Sequence, residues 1–276
     1  MKKIMAPSFC ARSVVALALL AGLAAAPTVA KADDPIGTMA EVSLLQGWAM
    51  ENGHYMAALQ VKLAPGWHTY WRAPGAAGIP PQFNWSGSRN ISGAQFHWPV
   101  PEIYEQNGMS FLGYETELVL PIEFTPNGAG NLMVNGEIMM GVCDDVCMPY
   151  TAVFQGTFDT SAPAENKHKI TSALKQKPKL VSGARCTAQP IEDGMKVTAT
   201  LNVPKLGAME VAVMEHPDTN IWVSEASSSR KGRTVSVQSD MVPQHAAPFF
   251  VDRSKLRITM IGTGGRAYEA QGCSGS

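Results

Sequence analysis

Two cysteines four positions apart, Cys143 and Cys147, restrict this chain more than any other feature. They stand in Gly141-Val142-Cys143-Asp144-Asp145-Val146-Cys147-Met148-Pro149. In an extended strand their Cα atoms would lie about 13 Å apart, at roughly 3.3 Å per residue. A disulfide requires Cα atoms within about 7 Å. The pair can bond only across a sharp bend, either a turn or a single helical turn. Asp144 and Asp145 favour such a bend, and Pro149 cannot donate to a strand ladder. A bridge closing so short a loop removes little chain entropy and stabilises weakly. The motif therefore points to chemistry rather than to stapling.

The chain opens with an address. Lys2 and Lys3 form a basic start, residues 14–26 an apolar stretch, and Ala30-Lys31-Ala32 a cleavage signal. This pattern predicts a signal peptide over 1–32 and a mature chain starting near Asp33. Cys10 leaves with the peptide. Beyond it no apolar run of about 18 residues remains, so no membrane span is expected after cleavage. The expected destination is the periplasm, as an exported soluble protein. Four of the five cysteines lie in the mature part, an even number suited to an oxidising compartment. The formal net charge of −1, with no basic block, argues against nucleic-acid partners.

The fold class expected is all-β, with two immunoglobulin-like sandwiches joined by a linker that holds a short helix. In the first domain, 33–160, strand-like runs at 40–45, 55–63, 116–124, 131–140 and 152–158 alternate with turn signals such as Pro65-Gly66 and Pro126-Asn127-Gly128. Trp67, Tyr70, Trp71, Phe83, Trp85, Phe96 and Trp98 are expected to fill the space between two sheets. Residues 161–179 read as the linker, its helix marked by Ile170, Ala173 and Leu174. The second domain, 180–276, carries strands at 197–201, 210–214, 221–224, 234–238 and 256–261, and has the usual size of a sandwich. Cys186 near its start and Cys273 near its end are expected to form a structural disulfide closing a long loop.

For Cys143 and Cys147 three readings stand side by side. They form a redox pair that exchanges with a partner, or a bridge that pins a bend. As soft ligands they would hold Cu(I) with methionines, Met140 and Met148 foremost and Met139 or Met109 in reach. No second Cys/His pair stands at zinc-finger spacing. Asp144 and Asp145 should raise the thiol pKa values, which suits an intermediary attacked by a partner's thiolate. His68 and His97 could each serve as a ligand or a proton-transfer group, but read first as strand-edge or partly buried histidines bonded to backbone. Glu137 could assist proton transfer and reads first as a solvated strand residue. There is no Ser-His-Asp spacing, phosphate loop or carboxylate pair that would indicate hydrolysis.

Gly66-Trp67-His68-Thr69-Tyr70-Trp71-Arg72 with Pro74-Gly75, Trp98-Pro99-Val100-Pro101, Phe111-Leu112-Gly113-Tyr114 and the cysteine motif together resemble a known family. It is the periplasmic N-terminal domain of the thiol:disulfide interchange reductase DsbD, nearest to the branch called suppressor of copper sensitivity protein B. The second half, with Cys186, Asp252-Arg253-Ser254 and Glu269-Ala270-Gln271-Gly272-Cys273, looks like the segment that follows in that branch. The resemblance implies an immunoglobulin-like redox domain that relays electrons through Cys143 and Cys147, with Cys147 forming the mixed disulfide. It implies a cap loop over the pair, with Phe111 as shield and Tyr114 beside it. It implies no cofactor, thioredoxin-like or disulfide-isomerase-like periplasmic partners, and links to copper tolerance or cytochrome c maturation. The sequence carries neither membrane section nor thioredoxin-like domain, so a separate membrane electron donor is expected. The enzyme sense is loose: a protein-disulfide reductase acting in a relay.

Overall fold

The strand-like runs of the first half do form strands. A computed structural model describes residues 39–75, 78–106 and 109–275, and the signal-peptide reading of 1–32 lies outside them. In chain order come β1 (Ala40–Ala49), β2 (Tyr55–Leu63), β3 (His68–Tyr70), β4 (Gln82–Asn84), β5 (Ile91–Phe96), β6 (Glu102–Gln106), β7 (Met109–Glu115), β8 (Glu117–Pro126), β9 (Leu132–Cys143) and β10 (Cys147–Phe158). One sheet has the order β1-β2-β8-β5, and its partner β10-β9-β3-β7-β6, with β4 on β9. Alternation selects the faces. Along β9, Leu132, Val134 and Ile138 are buried while Met133, Asn135 and Glu137 are exposed. The inward faces of both sheets share one core that includes Leu59, Trp71, Leu120, Phe124, Ile138 and Met140.

The helix expected from Ile170, Ala173 and Leu174 is α1 (Lys167–Lys175), with Ile170 and Ala173 buried. It covers the outer face of the first sheet, where Ile170 packs with Met56 and Ala58. That is why β2 is buried on both faces, from Tyr55 to Val61. At Gly47, where the β1–β2 register shifts, a Cβ would run into the Met56 carbonyl and lie 3.2 Å from the Ile170 Cδ1. The absent side chain is what allows the helix this close.

The second half repeats the two-sheet plan without repeating the sequence. It holds β11 (Lys179–Val181), β12 (Arg185–Ile191), β13 (Gly194–Asn202), β14 (Glu210–Glu215), β15 (Ile221–Val223), β16 (Ser227–Lys231), β17 (Thr234–Pro243), β18 (Arg257–Gly262), β19 (Arg266–Gln271) and β20 (Ser274–Gly275). The sheets run β11-β19-β18-β14 and β15-β17-β13-β12-β20, with β16 on β17. Cys186 and Cys273 are disulfide-bonded across 87 positions, with Cα atoms 5.6 Å apart. The bridge ties β12 to the end of the chain beside the second core.

Both sandwiches lie in one compact unit over 34–276. β18 faces two cores: Ile258 and Met260 belong to the second, Ile261 to the first. Beside this seam Arg72 reaches from the end of β3 into the second half. Its Nε lies 2.9 Å from Glu215 Oε1 and its Nη2 2.7 Å from Glu269 Oε2. Arg72 and Glu269 are largely buried, with side chains 13% and 6% exposed. Burial works against the Arg72 charge, but Glu215 and Glu269 outweigh it and hold the guanidinium charged. The strand that follows the Gly66 turn is therefore anchored at its far end by ion pairs to the second sandwich.

Candidate redox site

β9 and β10 form a long antiparallel hairpin, in register from Leu132↔Phe158 to Cys143↔Cys147. Asp144, Asp145 and Val146 close it, and all three are exposed. The expected bend is thus a hairpin tip. It brings the two cysteine Cα atoms to 4.1 Å, and the cysteines are disulfide-bonded.

The two sulfurs have different surroundings. Cys143 is fully buried (0% exposed), whereas Cys147 is exposed. Cys143 packs in a small cluster of its own with Tyr70, Phe111, Ile79 and Tyr104, separate from the main core. β6 and β7 are paired from Glu102↔Gly113 to Gln106↔Met109, and this hairpin supplies Tyr104 and Phe111. Their rings stack with centroids 5.1 Å apart, and Phe111 meets Tyr70 edge-on at 5.6 Å. Phe111 therefore packs with the buried cysteine. Tyr114 does not lie beside it. Along a strand, neighbouring side chains take opposite faces, so Tyr114 turns into the main core and its hydroxyl donates to the Pro99 carbonyl at 2.8 Å.

Tyr70 is the second correction. Expected among the aromatics filling the sandwich, it instead turns to the disulfide, while Trp67 and Trp71 on the other face join the core. The Tyr70 hydroxyl lies 2.9 Å from Cys147 Sγ and 3.2 Å from Cys143 Sγ. Disulfide sulfurs carry no proton, so Tyr70 is the donor, and burial keeps it protonated by raising its pKa. Gly141 makes this reach possible, because a Cβ there would sit 2.8 Å from the Tyr70 ring. A donor aimed at both sulfurs would stabilise whichever one carries thiolate charge.

The soft-ligand set is not brought together. Met140 is buried in the main core and Met148 packs against it, on the other side of the sheet from the Cys143 cluster. An odd step along β9 separates Met140 from Cys143, so they face apart. Among the described residues no group of three or more His, Cys, Asp and Glu is arranged to hold a metal ion.

Both histidines are buried or partly buried, as one of the two expectations had it, but their rings meet side chains rather than backbone. His97 is held by side chains, its Nε2 at 3.1 Å from Glu123 Oε2 and its Nδ1 at 3.3 Å from Lys177 Nζ. His68 is 5% exposed and its ring stacks on Phe111 at 4.5 Å. Sequence reasoning missed Tyr70 and Tyr104 as parts of the site, and held His68 as a ligand or proton-transfer group only as its second reading. The two-residue spacing of His68 and Tyr70, against Trp67, Thr69 and Trp71, was the available signal. Glu137 lies exposed on β9, six positions before Cys143.

Comparisons with known proteins agree with this geometry. Residues 41–159 match the family model described as thiol:disulfide interchange protein DsbD, N-terminal. The fold resembles the crystal structure of the N-terminal periplasmic domain of ScsB from Proteus mirabilis. That match has a TM-score of 0.58 and 24% identity, and covers 86% of this chain and 92% of that one. No curated protein sequence matches the chain significantly. Among the described residues no helix is long and apolar enough to cross a membrane. The segment 41–159, with its cysteine hairpin under an aromatic cover, belongs to the family of DsbD N-terminal domains.

Proposed function

We propose that this protein is a periplasmic thiol–disulfide interchange protein that relays electrons through Cys143 and Cys147. It receives them from a separate membrane donor and delivers them to oxidised thioredoxin-like or isomerase-like partners. The observation that carries this reading is the asymmetry of the pair: Cys147 is exposed at a hairpin tip, and Cys143 is buried beneath Phe111. An exchange protein needs one sulfur that an incoming thiolate can reach and one protected sulfur that resolves the mixed disulfide. Membership of the DsbD N-terminal family supports the same chemistry.

The test is trapping. Cys143→Ala should accumulate a stable mixed disulfide between Cys147 and an oxidised thioredoxin-fold protein, and Cys147→Ala should accumulate none. Equal trapping by both variants, or by neither, would remove the relay.

A further inference from the structure

Three ladders meet at the buried cysteine. Cys147 stands opposite Cys143, Cys143 opposite His68, and His68 opposite Glu115. Glu115, His68, Cys143 and Cys147 therefore form one row across β7, β3, β9 and β10. Directly opposed residues in antiparallel strands project from the same face, with Cβ atoms about 5 Å apart. His68 is thus the side-chain neighbour of Cys143 on the side away from Cys147. The aromatic contacts agree, since the His68 ring touches Phe111, Tyr70 and Tyr104, which all belong to the Cys143 cluster.

Among the described residues the Nε2 of His68 is buried and has no hydrogen-bond partner. A buried polar atom is costly to leave unsatisfied, and such atoms often mark function. Cys143 supplies what is missing. In the disulfide it has no proton to offer; in the dithiol it has one, on a residue that is 0% exposed.

We propose that His68 exchanges the proton of Cys143, Nε2 taking it when Cys143 resolves a mixed disulfide and returning it when the pair is reduced. The proposal rests on the relay reading for its biological direction. In the resolving step, Cys143 Sγ gives its proton to His68 Nε2. The thiolate forms the bond to Cys147 Sγ, and the bond from Cys147 to the partner's sulfur breaks. The partner leaves as thiolate and takes up the proton from the imidazolium or from water. Across the full exchange the cysteine pair loses two electrons and the partner's disulfide gains two.

The groups facing His68 fit this role. Burial lowers its pKa and the Asp144 carboxylate partly opposes this, so the ring is neutral at neutral pH and has a lone pair to accept a proton. Tyr70 cannot be the base, because burial raises its pKa and its hydroxyl already serves the sulfurs. Burial likewise raises Tyr104, so it stays neutral. Glu115 on β7 is the remaining ionisable neighbour in the row.

Stopped-flow reaction of the reduced pair with 5,5′-dithiobis(2-nitrobenzoate), in the full chain with Cys10→Ser and Cys186–Cys273 intact, separates the steps. A first, concentration-dependent burst reports attack by Cys147. A second, concentration-independent burst reports resolution by Cys143. His68→Phe keeps a ring against Phe111 and should slow the second burst about 100-fold at pH 7, leaving the first within about twofold. Equal slowing of both bursts, or an unchanged second burst, overturns the proposal. The unsubstituted side chain gives an independent check. Its second burst should be level with pH around neutrality and fall only on acidification below the ordinary histidine value of about 6.5, because burial lowers the ring's pKa. A tenfold rise per unit throughout would also overturn the assignment. Neither readout needs a physiological partner, so a failed relay and a failed His68 assignment are distinguishable.

Discussion

Two disulfides in one chain invite comparison. Cys143–Cys147 links opposed residues at the tip of a hairpin, four positions apart. Cys186–Cys273 links β12 to the chain's end across 87 positions. In the chain-entropy model the first contributes about 2 kcal/mol and the second about 4.5 kcal/mol. The surroundings reverse that ranking for chemistry. Around Cys143 and Cys147 stand a hydroxyl aimed at both sulfurs, an aromatic cover and a buried imidazole. Around Cys186 are core aliphatics, with backbone carbonyls bonding the nearby chain. A short loop with an exposed sulfur is suited to exchange, and a long loop closed on a fully buried Cys186 to stability.

The largest expected effects come from exchanging these roles. Cys147→Ser should abolish thiol exchange, with a loss beyond about 1,000-fold, and lower stability by about 2 kcal/mol at most. Cys186→Ser with Cys273→Ser should leave exchange rates within about threefold yet cost about 4.5 kcal/mol in urea unfolding. If the second variant proves as stable as the parent, the structural assignment of that bridge is wrong.

Arg72 couples the two regions, so its removal sharpens the comparison. Arg72→Met removes the nearest partner of Glu215 and Glu269, which keep only Arg257 at 3.8 and 3.5 Å, and Glu269 is buried. Breaking a buried ion pair on one side costs about 3–5 kcal/mol, and the lower end or less is expected because Glu215 is a fifth exposed and Arg257 still faces both carboxylates. The same variant should speed reaction of Cys143 with small alkylating agents, because β3 and the Pro74 carbonyl that accepts from Leu112 lose their anchor. Unaltered stability would show that the seam does not depend on this ion pair.

The smallest effect is a pH dependence. Burial lowers the His68 pKa against Asp144. Burial and then Lys177 lower that of His97, against Glu123. In the unfolded chain both titrate near 6.5. Below that the unfolded state binds protons that the folded state does not, so stability falls as pH drops from 6.5 towards the folded values. Urea midpoints at pH 7.5 and 5.5 should differ in that direction, and His68→Phe should narrow the gap. A midpoint that rises on acidification would contradict the burial of these rings.

Much of the fold was legible because sandwich strands announce themselves by alternation and by Pro and Gly at their ends. The run 55–63 matched β2 over its whole length, and Ile170, Ala173 and Leu174 located α1. Strands too short or too polar to alternate clearly, such as β4 and β16, carried no such signal; their partners across the ladder define them. At the site, the cysteines and Phe111 were legible from the motif and the resemblance. Tyr70 was not, because an aromatic in a strand looks the same whichever face it takes until its register is known. Met140 and Met148 failed as ligands for the same reason: proximity in sequence did not decide the face.

The measurement closest to the central claim is the reduction potential of Cys143–Cys147, by equilibration with glutathione and thiol trapping. A Cys186→Ser/Cys273→Ser background leaves one pair to report. A value between roughly −180 and −270 mV is the predicted result and lies among exchange proteins. A value below about −300 mV would make the bridge structural and contradict the relay.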